Sequence, residues 1–329
     1  MLSCEDMKIN KFILFLVMVS LPCLFTSCGE DDPIAPEPPV EQPTDEPEKP
    51  SDDSEEEKDN NEGGNENIEN ENPPEELYIY LCFGQSNMEG NAAIEAQDRE
   101  NVPERFRMMA AVDNPDMNRT KGEWYTAIPP LARRYTGLTP VDYFGRKMVE
   151  KLPKNISVGV INVAVAGCSI DLFDKDKYAS YLPNQEVWLK NIANEYGGNP
   201  YNHLIELAKE AQKVGVIKGI LMHQGETNTG DENWPNNVKK VYEDMLADLN
   251  LSAEYVPLLV GEVVHANQGG VCAYHNVIIS RVPNVIPTAY VISSDGCPAG
   301  PDNLHFSAEG YRMLGRRYAD KMLSLLGIE

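Results

Sequence analysis

From residue 77 onward, short and mostly uncharged apolar runs alternate with stretches whose apolar positions recur every three or four residues. The runs Leu77–Phe83, Ser157–Val165, Ile217–His223, Val256–Gly261 and Ala289–Ser293 are rich in β-branched and aromatic residues and predict strands. The periodic stretches near Val141–Lys151, Tyr201–Val214, Asn236–Asn250, Val271–Arg281 and Ala308–Leu326 predict helices. Apolar strands separated by amphipathic helices imply an α/β domain, with a parallel sheet covered on both faces. Residues 77–329 are 253 in number, enough for one large domain with a full core. Pro129-Pro130, Pro183 and Gly197-Gly198 mark loops. The connection from 84 to about 140 reads as irregular, and connections of that length are often functional.

The N-terminal quarter follows other rules. Lys8 and Lys11 precede an uncharged apolar run, Phe12 to Phe25, and then Thr26-Ser27-Cys28. A basic segment, a short apolar run and small residues before a cleavage site describe an export signal over residues 1–28. The run is shorter than the roughly 20 residues a membrane-spanning helix needs. Phe25-Thr26-Ser27-Cys28 resembles a bacterial lipobox, which would make Cys28 the lipidated first residue of the mature chain. The alternative is a plain secreted protein cut nearby.

Residues 29–76 carry 20 acids against 2 lysines and almost nothing apolar, a charge of −18 within the formal −24 of the chain. Such a segment buries too little surface to offset its ordering entropy and reads as an extended tether. Its first acids, Glu30-Asp31-Asp32, resemble the surface-export signal of Bacteroidetes lipoproteins. The expected location is therefore the bacterial outer membrane, lipid-anchored at the cell surface, with the periplasm as the alternative. Contact with a membrane is expected only through that anchor. The low pI of about 4.6 belongs to the tether, and residues 77–329 are left with only −6. No basic patch suggests nucleic acid as a partner.

Candidate chemistry begins where the first strand ends. Leu77–Phe83 runs into Gly84-Gln85-Ser86-Asn87-Met88, placing a serine at the carboxyl end of a strand, where open α/β sheets carry their ligand crevice. Near the other end of the chain, Asp302-Asn303-Leu304-His305 precedes a helix that begins near Ser307. A serine hydroxyl needs a base, and an imidazole acting as that base needs a carboxylate on its other nitrogen. Three residues apart on a tight loop, Asp302 and His305 can meet without long-range help. Donors for an oxyanion are available at three strand ends. They are the Ser86 backbone N–H, the Gly167 backbone N–H in Ala166-Gly167-Cys168-Ser169-Ile170, and the Gln224 side-chain amide in His223-Gln224-Gly225-Glu226. Of the other histidines, His203 and His275 read as surface or packing residues, and His265 ends the fourth strand without a sequence-local partner. No Cys/His cluster has metal-ligand spacing, and no cofactor is expected. Cys82 reads as a core residue. Export permits disulfides, and Cys272–Cys297 is the pair suggested, with four free thiols left open.

Together, Gly84-Gln85-Ser86-Asn87-Met88-Glu89-Gly90, Ala166-Gly167-Cys168-Ser169-Ile170, His223-Gln224-Gly225-Glu226-Thr227-Asn228 and Asp302-Asn303-Leu304-His305 make residues 77–329 resemble an SGNH (GDSL-type) hydrolase. Within that superfamily the blocks are similar to the SASA-type carbohydrate esterases, which include acetylxylan esterases and sialate O-acetylesterases. The resemblance implies a three-layer αβα sandwich, flavodoxin-like, about a central parallel sheet of about five strands. It also implies Ser86 as nucleophile, His305 as base and Asp302 as orienting acid, with Ser86, Gly167 and Gln224 around the oxyanion. Gln224 stands where most of the superfamily has Asn. Glu226 is a rival acid, because some relatives use the Glu of this block. The implied substrate is an acetylated glycan, with Trp124, Trp188 and Trp234 as possible stacking faces. The alternative from another class is a non-catalytic glycan-binding surface lipoprotein on the same fold, and a third reading is a lipid or short-chain esterase of the wider superfamily.

Overall fold

The computed structural model describes residues 75–328. The export signal, Cys28 and nearly all of the acidic segment lie outside the described residues. Glu76, which the sequence places in the tether, is the first residue of a strand.

Seven strands run in chain order as β1 (Glu76–Gly84), β2 (Phe106–Met109), β3 (Trp124–Thr126), β4 (Ile156–Ala164), β5 (Val216–His223), β6 (Leu258–Gly261) and β7 (Ala289–Ile292). The helices are α1 (Ser86–Glu89), α2 (Ala96–Arg99), α3 (Pro140–Lys151), α4 (Tyr178–Tyr181), α5 (Val187–Glu195), α6 (Pro200–Ala211), α7 (Trp234–Asp248), α8 (His275–Ile279), α9 (Val282–Val285) and α10 (Ala308–Leu325). The strands form one sheet in the order β3-β2-β4-β1-β5-β6-β7. All neighbours are parallel except β3, which runs antiparallel to β2 at the edge.

The sheet thus has seven strands and not the five of the apolar pattern. Both additions lie in the 84–140 connection, where a four-residue strand carrying Arg107 and a three-residue strand leave no pattern to read. A further correction concerns 271–281, where only His275–Ile279 is helical and a second short helix starts at Val282.

Why β1 is central follows from its side chains. Ile79, Leu81 and Phe83 enter one core while Tyr80 and Cys82 enter the other, so both faces are buried. The first core is completed by Leu189, Leu204, Ile205, Val238, Val241 and Ile278 from α5 to α8. The second is completed by Val141, Phe144 and Met148 of α3 and by Leu314, Tyr318 and Met322 of α10. Three layers result, with strands β1, β4 and β5 in the middle and their carboxyl ends on one side.

Helix starts are marked chemically. Thr139 and Asp142 form a reciprocal capping box ahead of α3, with Pro140 in the first turn. Asn199 caps α6 by accepting from Asn202 N, and Ser307 caps α10 by accepting from Gly310 N. The last of these caps fixes the chain two residues after His305.

All four cysteines of residues 75–328 are free. Cys272 packs against the first core and Cys297 lies inside the second, so the sheet stands between the two thiols suggested as a pair.

Candidate active site

The site forms where β1, β4 and β5 end. Gly84 closes β1 against β5, and a β-carbon there would fall 2.0 Å from the His223 carbonyl oxygen at a φ of +151°. Only glycine permits that approach. Gln85 is held extended by its N–H donating to His223 O at 3.0 Å, and Ser86 then starts α1.

The loop before α10 brings the acid and the base to this serine. His305 Nε2 lies 2.8 Å from Ser86 Oγ, and His305 Nδ1 lies 2.6 Å from Asp302 Oδ2. A carboxylate accepts, so Nδ1 carries its hydrogen and Nε2 is the nitrogen left to receive the serine proton. Asp302 Oδ1 accepts from the N–H groups of Leu304 and His305, both at 3.0 Å, which closes the turn around Asn303. Partial burial pushes the Asp302 carboxyl up. The His305 backbone and imidazole and the Leu304 N–H outweigh it and hold the group below the usual range.

The oxyanion donors divide. Ser86 N–H opens a helix, and Gly167 N–H sits in a turn at φ +71°; neither has an acceptor among the described residues. Gln224 is held differently. Its Oε1 accepts from Trp234 Nε1, which fixes the direction of the amide, and its Nε2 faces Asn228 Oδ1 at 2.7 Å, Gln85 Oε1 at 3.1 Å and Cys168 O at 3.2 Å. Its two amide protons face these three acceptors, which ties the end of β5 to the Cys168 carbonyl beside Gly167.

Glu226, the rival acid, points elsewhere. Its Oε1 accepts from Asn87 Nδ2 and stands 3.6 Å from His223 Nε2, beyond hydrogen-bond reach. Burial would raise its carboxyl, but the His223 ring and the Asn87 amide reverse that and hold it low.

A family model described as a carbohydrate esterase, sialic acid-specific acetylesterase (SASA), matches residues 76–324. The chain belongs to the SASA carbohydrate esterase family. A probable carbohydrate esterase from Arabidopsis thaliana is 24% identical over 267 residues, covering 77% of this chain and 92% of that protein. A solved Arabidopsis thaliana structure overlays with a TM-score of 0.58 at 20% identity, covering 76% of this chain and 99% of its own. NanS gives 0.55 at 17% identity, covering 77% and 98%. A carbohydrate acetylesterase from Xanthomonas citri gives 0.52 at 18%, covering 74% and 54%. At these identities the structural likenesses speak to the fold alone.

Two residues of this SASA esterase, Asn87 and Glu89, make contacts around the site that its sequence did not announce. Asn87 grips the loop on both sides of His305: Nδ2 donates to Leu304 O at 3.1 Å, and Oδ1 accepts from Phe306 N at 3.3 Å and Tyr311 OH at 2.7 Å. Glu89 ends α1 paired with Arg133 at 3.0 Å and accepts from Ala166 N at 3.4 Å, tying α1 to the Gly167 turn. Burial pushes the Glu89 carboxyl up, and Arg133 offsets only part of it. Trp188 of α5 lies against Gly167 itself. Asn87 stands in the serine block, yet its partners are 139 and 217 residues away, a distance no local pattern spans.

The remaining histidines stay outside the chemistry. His203 pairs through Nε2 with Ala111 O at 2.6 Å, His275 is buried, and His265 stands 3.8 Å from Asp295. Among the described residues no group of three or more His, Cys, Asp or Glu could hold a metal ion.

Proposed function

We propose that this carbohydrate esterase is a serine O-acetylesterase that removes acetyl groups from sugar hydroxyls through an acetyl-serine intermediate. The observation that carries the reading is the unbroken line from Asp302 Oδ2 through the His305 ring to Ser86 Oγ, at 2.6 and 2.8 Å. Membership of the SASA family supports a carbohydrate ester as substrate.

His305 Nε2 takes the Ser86 proton as Oγ bonds to the acetyl carbonyl carbon. The carbonyl oxygen becomes an oxyanion between Ser86 N–H and Gly167 N–H, each donor contributing about 2.7–4 kcal/mol to the transition state. The sugar oxygen then leaves with the proton from His305. Water loses a proton to His305, attacks acetyl-Ser86, and acetate departs as Oγ is reprotonated. Asp302 holds the imidazole in the working tautomer and stabilises the imidazolium. Glu226 acts one step further out, holding Asn87 and through it the backbone on either side of His305.

Ser86→Ala should abolish acetate release from p-nitrophenyl acetate, acetylated xylan and O-acetyl sialic acid alike. Substantial residual turnover on the substrate that wild type cleaves best would remove Ser86 from the nucleophile role.

A further inference from the structure

The acetyl group has its serine and its donors, and the sugar that carries it needs a surface beside them. The three tryptophans differ sharply in what they could offer. Trp234 is buried with its Nε1 spent on Gln224, and Trp124 packs over Gly159 against the first core. Trp188 is 50% exposed. The far edge of its indole lies at Gly167: a β-carbon added there would meet Cη2 at 2.5 Å and Cζ2 and Cζ3 at 3.4 Å.

The helix does not need Trp188 for its own anchoring. The residues α5 buries are Leu189 and Ala193, while Val187 and Trp188 are left in water. A large ring kept in solvent, with its tip on the backbone that offers an oxyanion donor, is placed for something outside the protein. At the next peptide, the exposed Thr227 donates its hydroxyl proton to Gly167 O at 3.0 Å. The Thr227 oxygen remains able to accept from a ligand hydroxyl.

We propose that Trp188 is the floor of a pyranose subsite, with the acetylated sugar ring lying on the exposed indole and its ester carbonyl reaching Gly167 N–H. Sugar rings present an apolar C–H face ringed by hydroxyls, which suits an aromatic surface bordered by a polar group. The subsite rests on the acetyl-transfer reading at Ser86, and its test separates the two.

The experiment compares wild type, Trp188→Ala and Trp188→Tyr on p-nitrophenyl acetate, on p-nitrophenyl butyrate, and on whichever of acetylated xylan and O-acetyl sialic acid wild type cleaves. Trp188→Ala should raise KM for the carbohydrate about tenfold, while kcat/KM for p-nitrophenyl acetate moves less than about threefold. Trp188→Tyr should recover most of the loss. An equal fall on both acetate esters overturns the subsite, because Trp188 would then be supporting Gly167. A gain on the butyrate ester with the carbohydrate unaffected also overturns it, since the ring would then wall the acyl pocket. So does a wild type that cleaves p-nitrophenyl acetate and neither carbohydrate. Inactivity of wild type on every ester removes the acetyl-transfer reading underneath.

Discussion

Two carboxylates bear on the His305 loop, and they differ in almost every physical respect. Asp302 lies in the loop before α10 with its side chain 51% exposed, three residues from the ring it holds. Glu226 lies in the buried turn after β5, and its contact with the His305 loop passes through Asn87. Both are held below their ordinary range, but for different reasons. In Asp302 partial burial is outweighed by N–H groups of its own turn and by the His305 ring. In Glu226 full burial is outweighed by His223 and Asn87, groups brought from two separate strand ends. The exposed acid orients the ring, and the buried acid orients the backbone that carries the ring. Proximity to Ser86 therefore does not separate the two carboxylates; the atom each one touches does.

The sharpest way to break this comparison is to remove Asp302. Asp302→Ala should lower kcat on p-nitrophenyl acetate by about 10³–10⁴-fold, the loss seen when a triad acid is taken from its histidine. Because the Asp302 carboxyl is held below the usual 3.8, it stays ionised throughout the neutral range. Any acid limb of activity between about pH 5 and 8 therefore belongs to another group. Near-full turnover by Asp302→Ala would hand the role of acid to Glu226.

Glu226 should give a smaller and differently shaped effect. In Glu226→Ala, Asn87 loses its anchor, the His305 loop loosens, and kcat should fall by about 10²-fold, the scale of a misplacement near 1 Å. Glu226→Gln keeps an oxygen for Asn87 Nδ2 and should retain most of the activity with the wild-type pH profile. A Gln variant as inactive as Asp302→Ala would show that the charge of Glu226, and not its grip on Asn87, is what the reaction uses.

The same contrast explains how much could be read from the chain. The Asp302–His305 pair is local, and β1 is an apolar run ending at a glycine; both are visible in a few residues. The Asn87–Glu226–Leu304 link joins positions 139 and 217 residues apart and exists only after folding. The setting of Gln224 is not legible locally, because its amide direction is decided by Trp234, ten residues later at the start of α7. The Cys272–Cys297 pairing failed because spacing does not say which face of a sheet a side chain enters. Strands β2 and β3 were missed since three or four residues are too few for a period-two pattern to show.

The smallest expected effect concerns stability and again separates the buried turn from the exposed loop. His275 lies beneath Gly225, edge-on to Trp234, with neither ring nitrogen bonded to any described residue. Burial lowers its pKa below 6.5, and the facing carboxylates Glu226 and Asp231 only partly oppose this. Below about pH 6.5 the unfolded chain therefore binds a proton that native His275 resists, so stability falls as pH drops from that value. The slope is bounded at about 1.4 kcal/mol per pH unit for each such histidine. His203 adds to it with the same sign, since burial lowers its pKa too. His275→Leu removes one contributor and leaves no polar atom unpaired, so the gap in urea-unfolding free energy between about pH 7.5 and 5 should narrow. An unchanged gap in His275→Leu would mean that the buried turn takes up no strain on acidification, and that the acid sensitivity lies in His203 or elsewhere in the chain.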